Sequence, residues 1–102
     1  MTFRSKKVSD GERYSVIQPK LDKCYFCGAV PIEKHEIFSG TANRQKSKDY
    51  GMVVALCPMH HRLVHQYPKK GYAVILHADG QMAFEKMYSR EKFIEIFGKS
   101  YL

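Results

Sequence analysis

The pattern of apolar and polar residues predicts a unit of two strands and a helix in the middle of the chain. Residues 31–38 fit a short strand, and the apolar run at 51–56 predicts a second one. The polar stretch 39–50 between them predicts a loop. Residues 58 to about 66 predict a helix, because one proline suits its first turn and another follows its end. Strand, loop, strand and helix in this order make a ββα unit.

Two further helices are predicted towards the C-terminus. Residues 72–88 fit either a helix that contains Gly80, at a cost of about 1 kcal/mol, or a hairpin that turns at Asp79. We favour the helix. Ser89 then predicts the N-cap of a last helix that ends at Gly98. The side chains expected to face the core from this helix are Phe93, Ile94, Ile96 and Phe97.

The length and charge of the chain narrow its class. With 102 residues it forms one small domain, and a structural metal would help to hold so modest a core. Its 17 basic and 10 acidic side chains give a formal net charge of +7, which favours an anionic partner such as nucleic acid. No run approaches the roughly 18 apolar residues of a membrane span. The first residues lack the apolar core of a secretory signal, so we expect a cytoplasmic protein without a membrane partner.

The N-terminal stretch has a different character from the rest. Residues 1–20 are polar and basic with little periodicity, which predicts a flexible or loosely docked arm. Such an arm either contacts nucleic acid or only aids solubility. Val16 and Ile17 could add a short edge strand to the sheet.

Four potential zinc ligands occur as two pairs with matching spacing. Cys24 and Cys27 form a C-x2-C knuckle, and Cys57 and His60 form a C-x2-H pair at the start of the predicted helix. This is the spacing of a tetrahedral structural zinc site, which would clip distant parts of the chain together. The odd count of 3 cysteines, without a secretory signal, also favours thiolate–metal chemistry over disulfides. The alternative is three buried free cysteines.

Three other histidines predict a second metal site. His61 and His65 lie four residues apart, so a helix projects them to one face, away from Cys57 and His60. With His35 on the preceding strand they make a set of three imidazoles, which suits Zn²⁺, Ni²⁺, Co²⁺ or Mn²⁺ better than Mg²⁺. Three protein ligands leave a position open for water or a phosphate oxygen, as a catalytic site requires. Separately packed or solvated histidines are the alternative.

Together these motifs resemble those of the HNH, or ββα-metal, endonucleases, and especially the small phage and prophage members with a zinc knuckle. The motifs that carry the resemblance are Cys24-x2-Cys27, His35-Glu36-Ile37-Phe38, Cys57-x2-His60-His61 and His65. The resemblance covers about residues 21–66 and, weakly, residues 91–102. The cysteine frame is shared by many treble-clef zinc modules, whereas the added histidines make the pattern specific.

The resemblance implies an α+β fold: a small ββα-metal, treble-clef-like domain with a zinc knuckle, followed by C-terminal helices. Residues 21–102 would form the nuclease domain, with its ββα-metal core at about 31–66. The implied activity is metal-dependent hydrolysis of a phosphodiester in DNA, inside a bacterial or phage-infected cell. His35, His61 and His65 would hold the catalytic ion, and a base on the first strand would activate water. The implied cofactors are a structural Zn²⁺ and a second divalent ion, which is Zn²⁺, Ni²⁺, Mn²⁺ or Mg²⁺.

Two positions depart from the family pattern. Glu36 stands where the family has its histidine base, so either Glu36 is the base, or His35 is the base and Glu36 gives an oxygen to the metal. A regular strand would point these two side chains to opposite faces, so both act only if the strand bends locally. Met52 stands where the family has an asparagine, and Asn43 in the predicted loop is the nearest replacement, to brace the loop or position the base.

Basic side chains near the predicted site are candidate phosphate contacts, which would position DNA without reading its sequence. They are Arg44, Lys46 and Lys48 in the predicted loop and Arg62 on the exposed side of the helix. The competing interpretation is a non-catalytic zinc module that uses this basic face to hold DNA or another protein. RNA as the substrate, a recruiting protein, and a monomer or a homodimer all stay open.

Overall fold

A two-stranded antiparallel sheet and four α-helices make up residues 7–102, the part of the chain that the computed structural model describes. The predicted α+β class is therefore confirmed. Within this part of the chain no helix has both the length and the apolar character needed to cross a membrane. The elements in chain order are a 3-10 turn Asp10–Glu12, β1 Glu33–Glu36, α1 Thr41–Asp49, β2 Val53–Leu56, α2 Pro58–Gln66, α3 Gly71–Met87 and α4 Arg90–Phe97.

The sheet determines which side chains of β1 face the same way. β1 and β2 are antiparallel, with His35 opposite Val54. Since alternate residues of a strand share a face, Glu33 and His35 project together and Glu36 projects to the other side. All four residues of β2 are buried, as its apolar run predicted. The second edge of β2 is also covered, because Ala55 donates to a glutamine side chain and accepts from a backbone N–H, both at 2.8 Å.

α1 occupies the stretch that was predicted to be a loop, so that prediction is wrong. The helix buries almost no apolar side chain and is held by hydrogen bonds instead. Ser47 is fully buried and bonds both backbone groups of Phe38, at 3.1 and 2.8 Å. Asn43 and Lys46 donate to backbone carbonyls of α4 at 3.1 and 2.8 Å. A pattern of apolar residues cannot indicate such a helix, because the groups that attach it are polar.

The two C-terminal helices lie where the sequence predicted them. α3 confirms the helix over the hairpin, with Gly80 in its interior. The glycine permits close packing, because a Cβ at Gly80 would lie only 3.2 Å from the ring of Phe38. Ser89 is the N-cap of α4 and accepts a backbone hydrogen bond of 3.0 Å. Gly98 ends this helix in the left-handed conformation, with φ of 99°.

The apolar core lies between the sheet, α3 and α4 and is rich in aromatic rings. Of the side chains predicted to face it from α4, Phe97 is buried and Ile96 is partly buried. Ile94 is 40% exposed, so its predicted core position is wrong. It projects about 100° away from Phe93, beyond the packed face of the helix. The fully buried rings of the core are Phe38, Phe84 and Phe93.

The described part of the predicted arm is attached to the folded core. Val8 is 6% exposed, and its backbone N–H donates to the carboxylate of Asp49 at 2.8 Å. The N–H of Val16 donates to the carbonyl of Gly51 at 3.0 Å, a single bond where an edge strand was expected. The structure departs from a loose arm here because α1 and the turn after it offer polar partners to this segment. The first six residues of the arm lie outside the described residues.

Candidate metal centres

The cysteine knuckle and the start of α2 bring together four side chains that can bind a metal. These four residues, which we call the cysteine cluster, are Cys24, Cys27, Cys57 and His60. Their ligand atoms all lie within 4.8 Å of one another. A hydrogen bond of 2.8 Å from Gly28 N–H to the carbonyl of Cys24 closes the knuckle. Cys57 is the N-cap of α2 and His60 lies within its first turn, so both side chains reach the knuckle.

The distances within the cysteine cluster fit a tetrahedral zinc site. Zn–S bonds of about 2.3 Å and Zn–N bonds of about 2.0 Å place two sulfurs about 3.8 Å apart, and a sulfur and a nitrogen about 3.5 Å apart. The sulfurs of Cys27 and Cys57 are 3.8 Å apart. His60 Nδ1 lies 3.3 Å from Cys57 Sγ and 3.5 Å from Cys24 Sγ. This cluster can bind a metal ion such as zinc.

The surroundings of Cys24 favour its metal-binding form, whereas those of Cys27 raise the pKa of its thiol. Burial raises the pKa of Cys24, but backbone N–H groups of Cys57 and of the knuckle bond to its sulfur and lower the pKa from 9.0 to about 6. The thiolate is the form that binds metal. Cys27 is the exposed member. The ring of His60 contacts the ring of Tyr72 edge-on at 4.6 Å, which helps to fix its orientation.

The other three predicted ligands meet on a second face of α2. We call His35, His61 and His65 the imidazole cluster; their ligand nitrogens lie within 4.8 Å of one another. The Nε2 atoms of His61 and His65 are 3.0 Å apart, close to the roughly 3.3 Å between two nitrogens on one tetrahedral ion. The ring of His35 lies 5.1 Å from that of His61 and 5.3 Å from that of His65. The three imidazoles are close enough to bind one ion together.

Glu33 belongs to this site, although the sequence analysis did not single it out. Its carboxylate accepts a hydrogen bond of 2.6 Å from Nδ1 of His61. The proton on Nδ1 leaves the lone pair of the other ring nitrogen free and directed towards His65. A carboxylate in this position fixes the tautomer of a metal-binding imidazole and raises its basicity. The available signal was the spacing Glu33-x-His35, which places both side chains on one face of a strand.

His35 is partly buried and borders an open cavity. Burial, together with the neighbouring imidazoles of His61 and His65, lowers the pKa of His35 from 6.5 to about 3. The side chain is therefore neutral at physiological pH, with a lone pair available for a metal ion or a proton. The cavity beside it measures about 370 Å³, and we call it the imidazole cavity. Because β1 ends at Glu36, both His35 and Glu36 border this cavity despite being neighbours on a strand.

These two clusters can be set against known proteins. No protein-family model, curated protein or solved structure matches the chain. The chemistry open to the clusters therefore follows from their own donor atoms, distances and surroundings.

Glu36, a predicted base or metal ligand, is held by two arginines. Arg13 donates to its Oε2 at 2.6 Å and Arg44 donates to its Oε1 at 2.7 Å. Burial raises the pKa of Glu36, but these two bonds outweigh it and lower the pKa below its usual 4.5. Both oxygens already accept from a guanidinium, so Glu36 is a weak proton acceptor and lies outside the imidazole cluster. The structure gives Glu36 the role of holding Arg13 and Arg44 beside the imidazole cavity.

Three of the four predicted phosphate contacts bond to partners within the protein, and one of them is Arg44, which pairs with Glu36. Lys48 is 9% exposed, and its ammonium group pairs with Asp10 at 2.7 Å. Lys46 donates to a backbone carbonyl of α4, as described above. The predicted role does not fit these two lysines, because α1 turns them towards partners within the fold. The side chain of Arg44 is 58% exposed and borders the imidazole cavity, while Arg62 is exposed on α2.

Asn43, the predicted replacement for the family's asparagine, braces the fold. Its amide donates to the carbonyl of Phe97 at 3.1 Å and so joins α1 to α4. Among the described residues it does not line the imidazole cavity. Met52, at the family's position, is fully buried. Neither residue stands beside the imidazole cluster, so the structure does not support a catalytic role for Asn43.

Proposed function

We propose that this chain is a metal-dependent DNA endonuclease of the HNH, or ββα-metal, type. The observation that carries the proposal is the imidazole cluster, a second set of metal ligands beside the complete cysteine cluster. A protein with only a structural zinc site does not need three further imidazoles within 4.8 Å of one another beside an open cavity. The placement of both clusters around β1, β2 and α2 supports a ββα-metal arrangement with a zinc knuckle.

In this proposal the imidazole cluster holds one divalent ion at the cavity. Such an ion polarises a phosphodiester and stabilises the oxygen that leaves. His61 is oriented for this by Glu33, and His65 is presented one helical turn later on the same face. His35 supplies a neutral nitrogen, either as the third ligand or as the acceptor of a proton from the attacking water.

Arg13 and Arg44 are the cations best placed to hold the phosphate. Both line the imidazole cavity, and the carboxylate of Glu36 holds them in position by accepting a hydrogen bond from each. The guanidinium N–H groups that do not bond to Glu36 can donate to phosphate oxygens. Contacts of this kind position a backbone without reading bases, so we expect cleavage with low sequence specificity.

Plasmid nicking tests the proposal. The zinc-loaded protein should convert supercoiled DNA to nicked or linear forms when Mn²⁺, Ni²⁺ or Mg²⁺ is added. His65→Ala should slow nicking by at least about 100-fold. Loss of a residue that only supports a metal ligand costs up to about 100-fold, and His65 is proposed to be a ligand itself. Gln66→Ala changes an exposed neighbour on the same helix and should nick like the wild type. Absence of nicking by the wild type with all three ions, or equal nicking by His65→Ala, would contradict the proposed endonuclease activity.

A non-catalytic zinc module is the second candidate function, and the pairing of Glu36 favours it. With both oxygens bonded to arginines, Glu36 is not a free carboxylate base. Metal content separates the two candidates. One tightly held zinc per chain, with no further saturable site in a Co²⁺ titration, supports the module; a second site supports the nuclease. Cleavage of matched DNA and RNA strands then identifies the substrate.

A further inference from the structure

The imidazole cavity continues along the surface towards the C-terminus. A second cavity of about 230 Å³ shares His35, Ser39 and His65 with it. A third cavity of about 470 Å³, which we call the distal pocket, shares Ser39, Pro68 and His77 with the second. The shared walls make one groove that passes the imidazole cluster and ends beside the C-terminal tail.

The distal pocket carries uncompensated positive charge. Lys69 and Lys99 line it and are both exposed, and no acidic side chain of residues 7–102 lines it with them. Neither lysine takes part in an ion pair within this described range. This distinguishes them from Lys48 of α1, whose charge is met by Asp10. The distal pocket is therefore suited to an anion.

Two rings border these lysines. The ring of His77 lies 4.6 Å from that of Tyr101 and stacks on Phe38 at 5.6 Å, with an angle of 17° between the planes. The ammonium group of Lys99 lies 4.9 Å from the centre of the Tyr101 ring. Positive charge that binds phosphate, beside rings that contact bases, is the combination with which proteins hold single nucleotides of a strand. The volume of the pocket is within the roughly 300–1,000 Å³ typical of ligand clefts.

The tail that supplies Lys99 and Tyr101 is held in a defined position. Gln81 of α3 is fully buried, and its amide oxygen accepts from the backbone N–H of Tyr101 at 2.7 Å. The amide nitrogen of Gln81 donates to the hydroxyl of Ser100 at 3.0 Å. A tail fixed in this way loses little conformational freedom when a ligand binds, so the pocket is preorganised.

We propose that the distal pocket binds the nucleotide that neighbours the phosphate held at the imidazole cluster. Lys69 and Lys99 bind its backbone phosphate, and the rings of His77 and Tyr101 contact its sugar or base. The continuous groove identifies the ligand as the same DNA strand that occupies the imidazole cavity. This inference rests on the proposed function. It adds the direction in which the DNA strand continues from the imidazole cavity, which is towards the distal pocket.

The salt dependence of DNA binding tests this site. Duplex DNA labelled with fluorescein is titrated by fluorescence anisotropy at several KCl concentrations, in a His65→Ala background so that the DNA stays intact. Lys69→Gln/Lys99→Gln should reduce the slope of log K against log salt by about 1.8, which is about 0.9 for each lost phosphate contact. Lys20→Gln/Lys86→Gln removes the same charge from exposed positions outside the groove and should leave the slope unchanged. Zinc content and circular dichroism verify that all variants are folded.

The outcomes separate the two proposals. A loss of slope confined to the groove variant supports the distal site. Equal losses in both double variants would show a general charge effect and overturn the distal site, as would no loss in either. If neither the His65→Ala protein nor the zinc-loaded wild type binds DNA, the distal site fails together with the proposed DNA substrate. If DNA is bound but the wild type does not cut it, only the proposed nuclease activity fails.

Discussion

Two carboxylates of β1, three residues apart, acquire opposite roles from their partners. Glu33 accepts a hydrogen bond from an imidazole, whereas Glu36 accepts from two guanidiniums. Their spacing in a strand sends them to different faces. On one face a carboxylate bonds to an imidazole of the imidazole cluster, and on the other it anchors two cations. The same residue type therefore serves different chemistry because of what lies opposite each face.

The Glu33 bond leads to a prediction about the second metal site. Glu33→Gln should weaken binding of Co²⁺ or Ni²⁺ at the imidazole cluster by about 10 to 100-fold, because a neutral amide orients His61 less firmly and makes it less basic. Isothermal titration of the zinc-loaded protein measures the affinity. Glu91→Gln, at an exposed position of α4, is the matched control and should bind the ion like the wild type. Unchanged affinity in Glu33→Gln would show that this carboxylate does not support the ligand.

The Glu36 pairs lead to a prediction about stability and pH. Glu36→Gln should lower the free energy of unfolding at pH 7 by about 1.5 to 3 kcal/mol, the range for hydrogen bonds to a charged group. The lower end is expected because Arg44 is 58% exposed. The folded pKa of Glu36 lies below its usual 4.5, so the ionised carboxylate stabilises the fold above pH 4.5. This contribution is lost as the pH falls through the folded pKa.

The difference in free energy of unfolding between the wild type and Glu36→Gln should therefore be greatest at pH 7 and shrink as the pH falls below 4.5. Urea unfolding across this range measures it, and any loss of zinc at low pH affects both proteins alike. A difference that is independent of pH would contradict the charged pairing.

At the scale of elements, α2 contributes side chains to both the cysteine cluster and the imidazole cluster because its faces are chemically distinct. Its first turn and N-cap carry Cys57 and His60, and the face displayed by His61 and His65 turns towards β1. The helix is only 9 residues long, so the two clusters are joined by one short, continuous element.

Variants of the two centres should differ in stability. Cys27→Ser removes a thiolate from the cysteine cluster and should lower the free energy of unfolding. A decrease of about 3 kcal/mol would lower Tm by about 12 to 24 °C in a domain of this size. His65→Ala should keep the wild-type Tm and zinc content, because His65 is exposed and belongs to the other cluster. Thermal melting followed by circular dichroism, with elemental analysis, compares them. Equal melting of both variants would contradict the division of ligands between the two centres.

The pattern of apolar residues could not predict that α1 is a helix. The helix has no apolar stripe, and its stability depends on Asn43, Lys46 and Ser47 meeting backbone groups of other elements. These partners are brought close only when the chain folds. A stretch with the composition of a loop can therefore be a helix when its polar groups have tertiary partners.

At the scale of the whole molecule, the distribution of charge matters more than its total. Several of the 17 basic side chains form internal ion pairs, such as Lys48 with Asp10, and these pairs add nothing to the net charge of +7. The cations that line the groove are a smaller set, with Arg13, Lys34 and Arg44 at one end and Lys69 and Lys99 at the other. The imidazole cluster lies between these ends, which is the arrangement expected for a surface that follows a phosphate backbone.

The sequence by itself determined the ligand pairs, because spacing within a turn or a helix is a local property. It also determined both strands, α2, and the cap and end of α4, where apolar periodicity, prolines and glycines act over a few residues. Only the tertiary structure decided that α1 is a helix, that Glu36 is engaged by two arginines, that Glu33 bonds to His61, and that Lys69 and Lys99 line the groove. These features depend on side chains that meet from distant parts of the chain, and no local pattern encodes such meetings.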